Sequence, residues 1–255
     1  MTAFSVTSLP GVPEIRPGDD LAILLADAAG RLPAGGLGDA DVLCVAHKVV
    51  SKAEGRVRRL SDVQPGDRAR ELAGRHGKDA RHVQVVLDES EELVRADRGR
   101  LICRTRHGFV CANAGVDASN AGAPGEVVLL PCDPDASARE LRAGLRARLE
   151  RSPAVLITDS FGRPWRSGQC EVAIGVAGLA PLDDWRGLSD AHGRELTATV
   201  IAIADQAAAA ADLARGGKDS GHPAVVVRGL ERFFTDGDGP GVLPLLRPPE
   251  EDLFR

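Results

Sequence analysis

Apolar positions in this chain fall into short unbroken runs and into helical stripes, and the two patterns alternate without a fixed period. Asp41–Ala46 (DVLCVA), Ala154–Thr158, Val172–Val176 and Ala224–Val227 are runs bounded by turn residues, which predicts buried strands. Shorter runs at Val83–Leu87, Leu101–Arg104, Phe109–Ala112 and Glu126–Leu130 read as further strands. Leu21, Leu24, Leu25 and Ala28 share one face of a helix that starts at Asp19 or Asp20 and is closed by Gly35-Gly36. A second helix covers Gly66–Gly74. A third opens on Ser137-Ala138-Arg139-Glu140, a capping-box pattern, and carries Leu141, Leu145 and Leu149 to about Glu150. Alanine-rich Thr197–Arg215 predicts a long helix stopped by Gly216-Gly217. Residues 10–18 are extended and turn-rich, and Arg247-Pro248-Pro249 begins a loose tail. The alternation is too irregular for a βαβ array, so the expected architecture is α+β with a mixed sheet. Neither a G-x-G-x-x-G turn after the first strand nor a phosphate-loop lysine motif is present.

Composition narrows the function classes. The chain has 255 residues, enough for a sizeable core in one domain or in two subdomains. Its net charge of −5 and 3% aromatic content, without basic clusters interleaved with aromatics, argue against a nucleic-acid surface. No apolar stretch approaches a membrane span, and Met1–Pro10 lacks the features of a signal peptide, so the expected location is the cytoplasm with no membrane partner. Five scattered cysteines without a C-x-x-C pair argue against a disulfide framework or a structural zinc site. The acidic stretch Asp88–Glu92 reads as a solvated face.

Several constellations carry chemistry. In ITDSFGRPWRSGQ (157–169) an apolar run stops at Asp159-Ser160 and opens into a basic, glycine-containing stretch. Carboxylate and hydroxyl oxygens suit a hard divalent cation, and Arg163 and Arg166 suit an acidic substrate. Asp159 reads equally well as a helix cap or a partner for those arginines. Trp165 beside them suits stacking on a flat ring. Asp117, after the small residues 112–115 and before Ser119-Asn120, is either an Asx turn or a second carboxylate for the same cation. His47–Gly55 sets lysines among apolar residues after a strand, giving a solvated strand edge or a lysine reaching a phosphate. His107 reads as structural. Gly216-Gly217-Lys218-Asp219-Ser220-Gly221 is a helix stop, or a loop folding over phosphates.

Taken in order, GVPEIRPGDDL (11–21), HKVVSKAEGR (47–56), TRHGFVCANAGVDASN (105–120), LLPCDPDASA (129–138), ITDSFGRPWRSGQ (157–169) and PAVVVRGL (223–230) resemble the coenzyme F420-0:L-glutamate ligase family over most of the chain. The resemblance implies a single ligase domain over residues 1–255 with the family's α+β fold, an intertwined homodimer, and no C-terminal reductase domain of the kind found in actinobacterial relatives. It implies a GTP-dependent ligase that adds L-glutamate to coenzyme F420-0 and then further γ-linked glutamate, through an acyl phosphate, releasing GDP and phosphate. Mg²⁺ or Mn²⁺ is implied, with K⁺ as a helper. By the same resemblance Asp117, Asp159 and Ser160 match metal positions. Val12, Pro13, Glu14, Ile15, His47, Lys52, Asn120 and the loop Gly216, Gly217, Lys218, Asp219, Ser220 and Gly221 match nucleotide positions. Lys218 stands near a glutamine metal ligand of archaeal members, and a protonated lysine cannot ligate. Arg163 and Arg166 are assigned to the substrate from their chemistry alone. Two other readings are an amide ligase of the same fold acting on another acidic acceptor, such as a folate- or pterin-like molecule, and a non-catalytic nucleotide-binding module.

Overall fold

The computed structural model describes residues 3–32 and 35–252. In chain order the elements are β1 (Ser5–Ser8), α1 (Leu21–Ala29), β2 (Asp41–Ala46), α2 (His47–Ala53), β3 (Val57–Arg59), α3 (Asp67–His76), α4 (Ala80–Asp88), β4 (Ser90–Asp97), β5 (Arg100–Thr105), β6 (Val110–Ala112), β7 (Glu126–Val128), α5 (Pro134–Leu149), β8 (Ala154–Arg163), β9 (Arg166–Ala177), β10 (Leu182–Asp184), β11 (Val200–Ala202), α6 (Ile203–Arg215) and β12 (Ala224–Arg228). The expected α+β architecture with a mixed sheet is what forms.

The main sheet has the order β1-β12-β2-β8-β9, with β2 and β8 parallel and the other neighbours antiparallel. Its central strands are buried on both faces, which is why they read as unbroken apolar runs. Cys44 on β2 lies under α6, its thiol against the Ala207 carbonyl. On the opposite face Gly175 of β9 lies against α5, where a Cβ would come within 2.3 Å of the Pro134 carbonyl oxygen. A second core, separate from that of the main sheet, gathers α3, α4, β4, β5 and, beyond them, Ala114, Val116, Val127 and Leu129.

Several expectations change, among them the end of α1, which Gly30 closes where Gly35-Gly36 was expected. Val83–Leu87 is not a strand but the body of α4: Asp79 caps it through the Arg81 N–H, and Val83 and Val86, one turn apart, are buried on one face. A short apolar run does not separate the two periods, and here the cap decides. The long helix begins at Ile203, not Thr197, because Val200–Ala202 pairs with Leu182–Asp184 instead. Ser137 is not the start of α5. Asp133 caps it through the Ala136 N–H at 2.9 Å, with Pro134 at the first helical position, and Ser137 lies inside the first turn. The acidic stretch is only partly solvated: Glu89 is nearly buried between Arg56, at 2.6 Å, and Arg106, and β4 starts one residue later.

Candidate functional site

β8 does not end at Asp159. It continues to Arg163 and turns through Pro164-Trp165 into β9, with Phe161 opposite Cys170 and Gly162 opposite Gln169. Its neighbour β2 stops opposite Thr158. From Asp159 onward the hairpin is therefore a two-stranded ribbon projecting beyond the sheet, and the expected basic loop is its tip. Side chains alternate along the ribbon. Asp159 turns toward α2, with Oδ1 at 3.3 Å from His47 Nε2, whereas Thr158 and Ser160 turn toward the end of α6.

β2 runs straight into α2, so His47–Gly55 is a helix and its turn where a strand edge was the simpler reading. His47 is 2% exposed and locked under the sheet end. Lys48, its neighbour, uses all three ammonium protons: on Asp117 Oδ2 at 2.7 Å, Ser119 Oγ at 2.7 Å and the Ser119 carbonyl at 2.8 Å. Lys52, one turn on, meets Glu14 of the N-terminal stretch, where Ile15 is buried. Lysines at i and i+4 share a helix face, so α2 presents both ammonium groups to one side.

Asp117 is held from two directions. Its backbone exchanges hydrogen bonds with Val128, and its Oδ1 accepts the Ser119 N–H at 2.7 Å, so the Asx turn forms. The chain reaches it through Asn113, Ala114 and Gly115, all at positive φ. At Gly115 a Cβ would lie 2.6 Å from Leu130 Cγ, so a side chain there would collide while also adopting a strained backbone. Burial raises the Asp117 carboxyl, but the Lys48 ammonium and the Ser119 N–H outweigh it and hold the group below its usual range.

Asn120 donates from Nδ2 to the Lys218 carbonyl at 3.1 Å, joining the predicted nucleotide asparagine to the glycine-rich loop. Gly216 leaves α6 at φ +81. The residue before it, Arg215, pairs with Glu171 on β9 at 2.9 Å and donates to Thr158 Oγ1 at 3.1 Å. Glu171 accepts from Ser160 Oγ at 2.6 Å. Two sets of contacts thus meet on α2, Lys48 with Asp117 and Ser119 and its neighbour His47 facing Asp159, and a third runs from Ser160 through Glu171 to Arg215, whose following loop receives Asn120. Glu14 and Lys52 stand one helical turn away.

Arg163 and Arg166 lie outside these contacts, exposed at the ribbon tip. Arg163 braces the turn by donating to the Ser167 carbonyl at 2.8 Å, and Trp165 is 87% exposed with φ +62. Sequence reasoning placed Lys48 and Ser119 in candidate stretches without giving either a role of its own, and did not single out Glu171 or Arg215. The signal for Lys48 was its i, i+4 spacing to Lys52, and for Glu171 a lone acid opening an apolar strand.

Among the described residues no cluster of three or more histidine, cysteine, aspartate and glutamate side chains is gathered for a metal. The donors are hard oxygens: two carboxylates, at 37% and 16% exposure, and, on the opposite face of β8 from Asp159, the Ser160 hydroxyl. Such a set fits Mg²⁺ or Mn²⁺, since magnesium binds through one or two carboxylates and fills its shell with phosphate and water. The ammonium of Lys218 does not belong to it.

Comparison with known proteins adds the family. A family model described as F420-0:Gamma-glutamyl ligase matches residues 11–229. The chain is 47% identical over 256 residues to a protein of Methanopyrus kandleri named coenzyme F420:L-glutamate ligase, covering 100% of this chain and 99% of that one. It is 45% identical over 254 residues to the protein of the same name from Methanothermobacter thermautotrophicus, covering 99% of each. With that from Haloarcula marismortui it shares 45% over 259 residues, 99% of this chain and 96% of the other.

Proposed function

The chain belongs to the F420-0:gamma-glutamyl ligase family, and on that premise we propose that it joins L-glutamate to coenzyme F420-0 at the expense of GTP and then adds further glutamate through γ-linkages. The carboxylate of the acceptor attacks the γ-phosphorus and GDP leaves. The resulting acyl phosphate is attacked by the glutamate amine, which has shed one proton, and phosphate departs. Both partners in the first step are anions, so positioning and charge neutralisation dominate the barrier.

In this reading Asp117 and Asp159 hold Mg²⁺ or Mn²⁺, Ser160 offers its hydroxyl oxygen to a cation on the opposite face of β8, and K⁺ is a helper. A bound divalent ion supplies neutralisation of the triphosphate charge. Lys48 and Lys52, paired here with Asp117 and Glu14, would exchange those partners in part for the phosphates, and His47, Asn120, residues 12–15 and the loop 216–221 position the nucleotide. Arg163 and Arg166 grip the acidic acceptor from the ribbon tip. The protein acts as a homodimer, and the exposed excursion between β10 and β11 suits contact with a second copy.

One observation carries the proposal: residues distant in sequence, Glu14, Lys48, Asp117, Asn120, Asp159 and Lys218, are linked around one short helix by contacts that offer oxygens for a cation and ammonium groups for phosphates. The test is to incubate the protein with F420-0, GTP, L-glutamate and Mn²⁺ and weigh the product. A gain of one glutamate residue on F420-0, matched by GDP, is expected. Glutamate transfer to a different acceptor, or GTP binding without turnover, overturns it.

A further inference from the structure

Glu171 and Arg215 form a buried ion pair to which no role has been given. The Glu171 side chain is 6% exposed and that of Arg215 is 11% exposed, with Nη1 and Oε2 2.9 Å apart. Burying two charges is expensive unless geometry and further hydrogen bonds compensate. Here the compensation is specific but partial, since Arg215 Nε has no hydrogen-bond partner. Glu171 Oε1 accepts from Ser160 Oγ at 2.6 Å, and Arg215 Nη2 donates to Thr158 Oγ1 at 3.1 Å. Thr158 and Ser160 are the two residues that flank Asp159, on the opposite face of β8. Arg215 is the last residue of α6, and Gly216 begins the loop whose Lys218 carbonyl receives Asn120.

We propose that Glu171 and Arg215 are a positioning pair for the nucleotide site. Glu171 accepts the Ser160 O–H hydrogen bond and so leaves the oxygen lone pairs free to face a cation on that side of β8. Arg215, clamped between Glu171 and Thr158, fixes the direction in which the loop 216–221 leaves the helix. The pair ties the cation-holding strand to the loop that covers the nucleotide, so neither shifts without the other. A pair serving packing alone would do as well with apolar residues of similar volume, and would have no reason to spend its remaining hydrogen-bonding capacity on Thr158 and Ser160. The inference rests on the assignment of Asp159-Ser160 and the loop to the nucleotide site.

The experiment compares Glu171→Gln and Arg215→Lys with the unsubstituted protein, in two measurements. The first is tryptic cleavage after Lys218 in the protein without ligands, followed by intact mass. Loosening the loop anchor is expected to speed this cut about tenfold (about one factor of ten per 1.4 kcal/mol of lost restraint), with cuts elsewhere unchanged. The second is the Mn²⁺ and GTP dependence of turnover. Half-saturating concentrations are expected to rise about tenfold while kcat falls less. An unchanged rate of cleavage after Lys218 in both variants overturns the pair's hold on the loop. A loss confined to kcat, with metal and GTP dependence unaltered, overturns its role toward the site. If Glu171→Gln does not fold, Arg215→Lys, which keeps the charge and loses the fork, carries both measurements. Because the cleavage assay uses neither GTP nor F420-0, absence of ligase activity in the unsubstituted protein would defeat the proposed function while leaving the loop anchor to be judged by proteolysis.

Discussion

Asp117 and Asp159 were legible in the sequence as carboxylates following apolar runs, and their chemistry could be named without coordinates. What they touch could not. Each is met by a different residue of the same helix, Asp117 by Lys48 and Asp159 by His47, because consecutive helical residues point in different directions. Asp159→Asn keeps the shape and removes the charge. Its kcat is expected to fall at least about a hundredfold, since one metal contact is worth several kcal/mol in the transition state, and retention of near-normal kcat would count against the metal role. Asp117 permits a test on pH. Its carboxyl is held below the ordinary value of 3.8 in the folded chain, burial raising it but Lys48 and Ser119 prevailing. A depressed carboxyl stabilises the fold above its unfolded pKa, and that stability drains away as pH falls through the lower folded value. Melting temperatures measured from pH 6 downward are therefore expected to fall less steeply below 3.8 in Asp117→Asn than in the unsubstituted protein.

At the scale of elements, the buried strands announced themselves, and so did the start of α1 and the ends of α5 and α6, whereas the end of α1 and the starts of α5 and α6 were displaced. Two helices were hidden: α2, whose lysines suggested a strand edge, and α4, where a β-branched run hid a helix that only its cap reveals. The ribbon of β8 and β9 was missed for a different reason. Beyond Thr158 it has no sheet partner on the β2 side, so its exposed residues lack the apolar signature of a strand and read as a loop. Two substitutions probe how these strands are held. Gly175 lies so close to Pro134 that alanine must push α5 away from the sheet, and Gly175→Ala is expected to cost about 1–3 kcal/mol in urea unfolding, as overpacking does. Asp205, in the first turn of α6, accepts the Ala173 N–H at 2.9 Å, but burial raises its carboxyl above the usual value. A raised carboxyl gives stability that is present at low pH and lost as pH rises through the folded value. Asp205→Asn keeps the acceptor without the buried charge, so at neutral pH it is expected to melt no lower than the unsubstituted protein, and its stability should lose that pH dependence.

The described residues form two hydrophobic cores, and the site lies along the seam between them. Val49 and Val50 of α2 belong to the core of the main sheet, whereas Ala114 and Val116, beside Asp117, belong to the other. The contact of Lys48 with Asp117 and Ser119 therefore crosses from one core to the other. No periodicity in a sequence reports such a seam, because it depends on how separately patterned segments pack. It has a thermodynamic consequence. A ligand that touches both sides adds its binding energy to the cohesion of the two cores, as any ligand preferring the native state does. GTP with Mn²⁺ at a hundred times the dissociation constant is expected to add about 2.7 kcal/mol to stability, a rise in Tm of about 5–10 °C for a chain of this size. Lys48→Met leaves the hydrophobic packing of α2 in place but removes the cation that bridges the seam. It is expected to bind GTP weakly, to lose most of the ligand-induced rise, and to melt lower without ligand, because Asp117 loses the ammonium that stabilises its charge. An undiminished rise in that variant would mean that the nucleotide does not sit against α2, and the seam would then be a matter of folding alone.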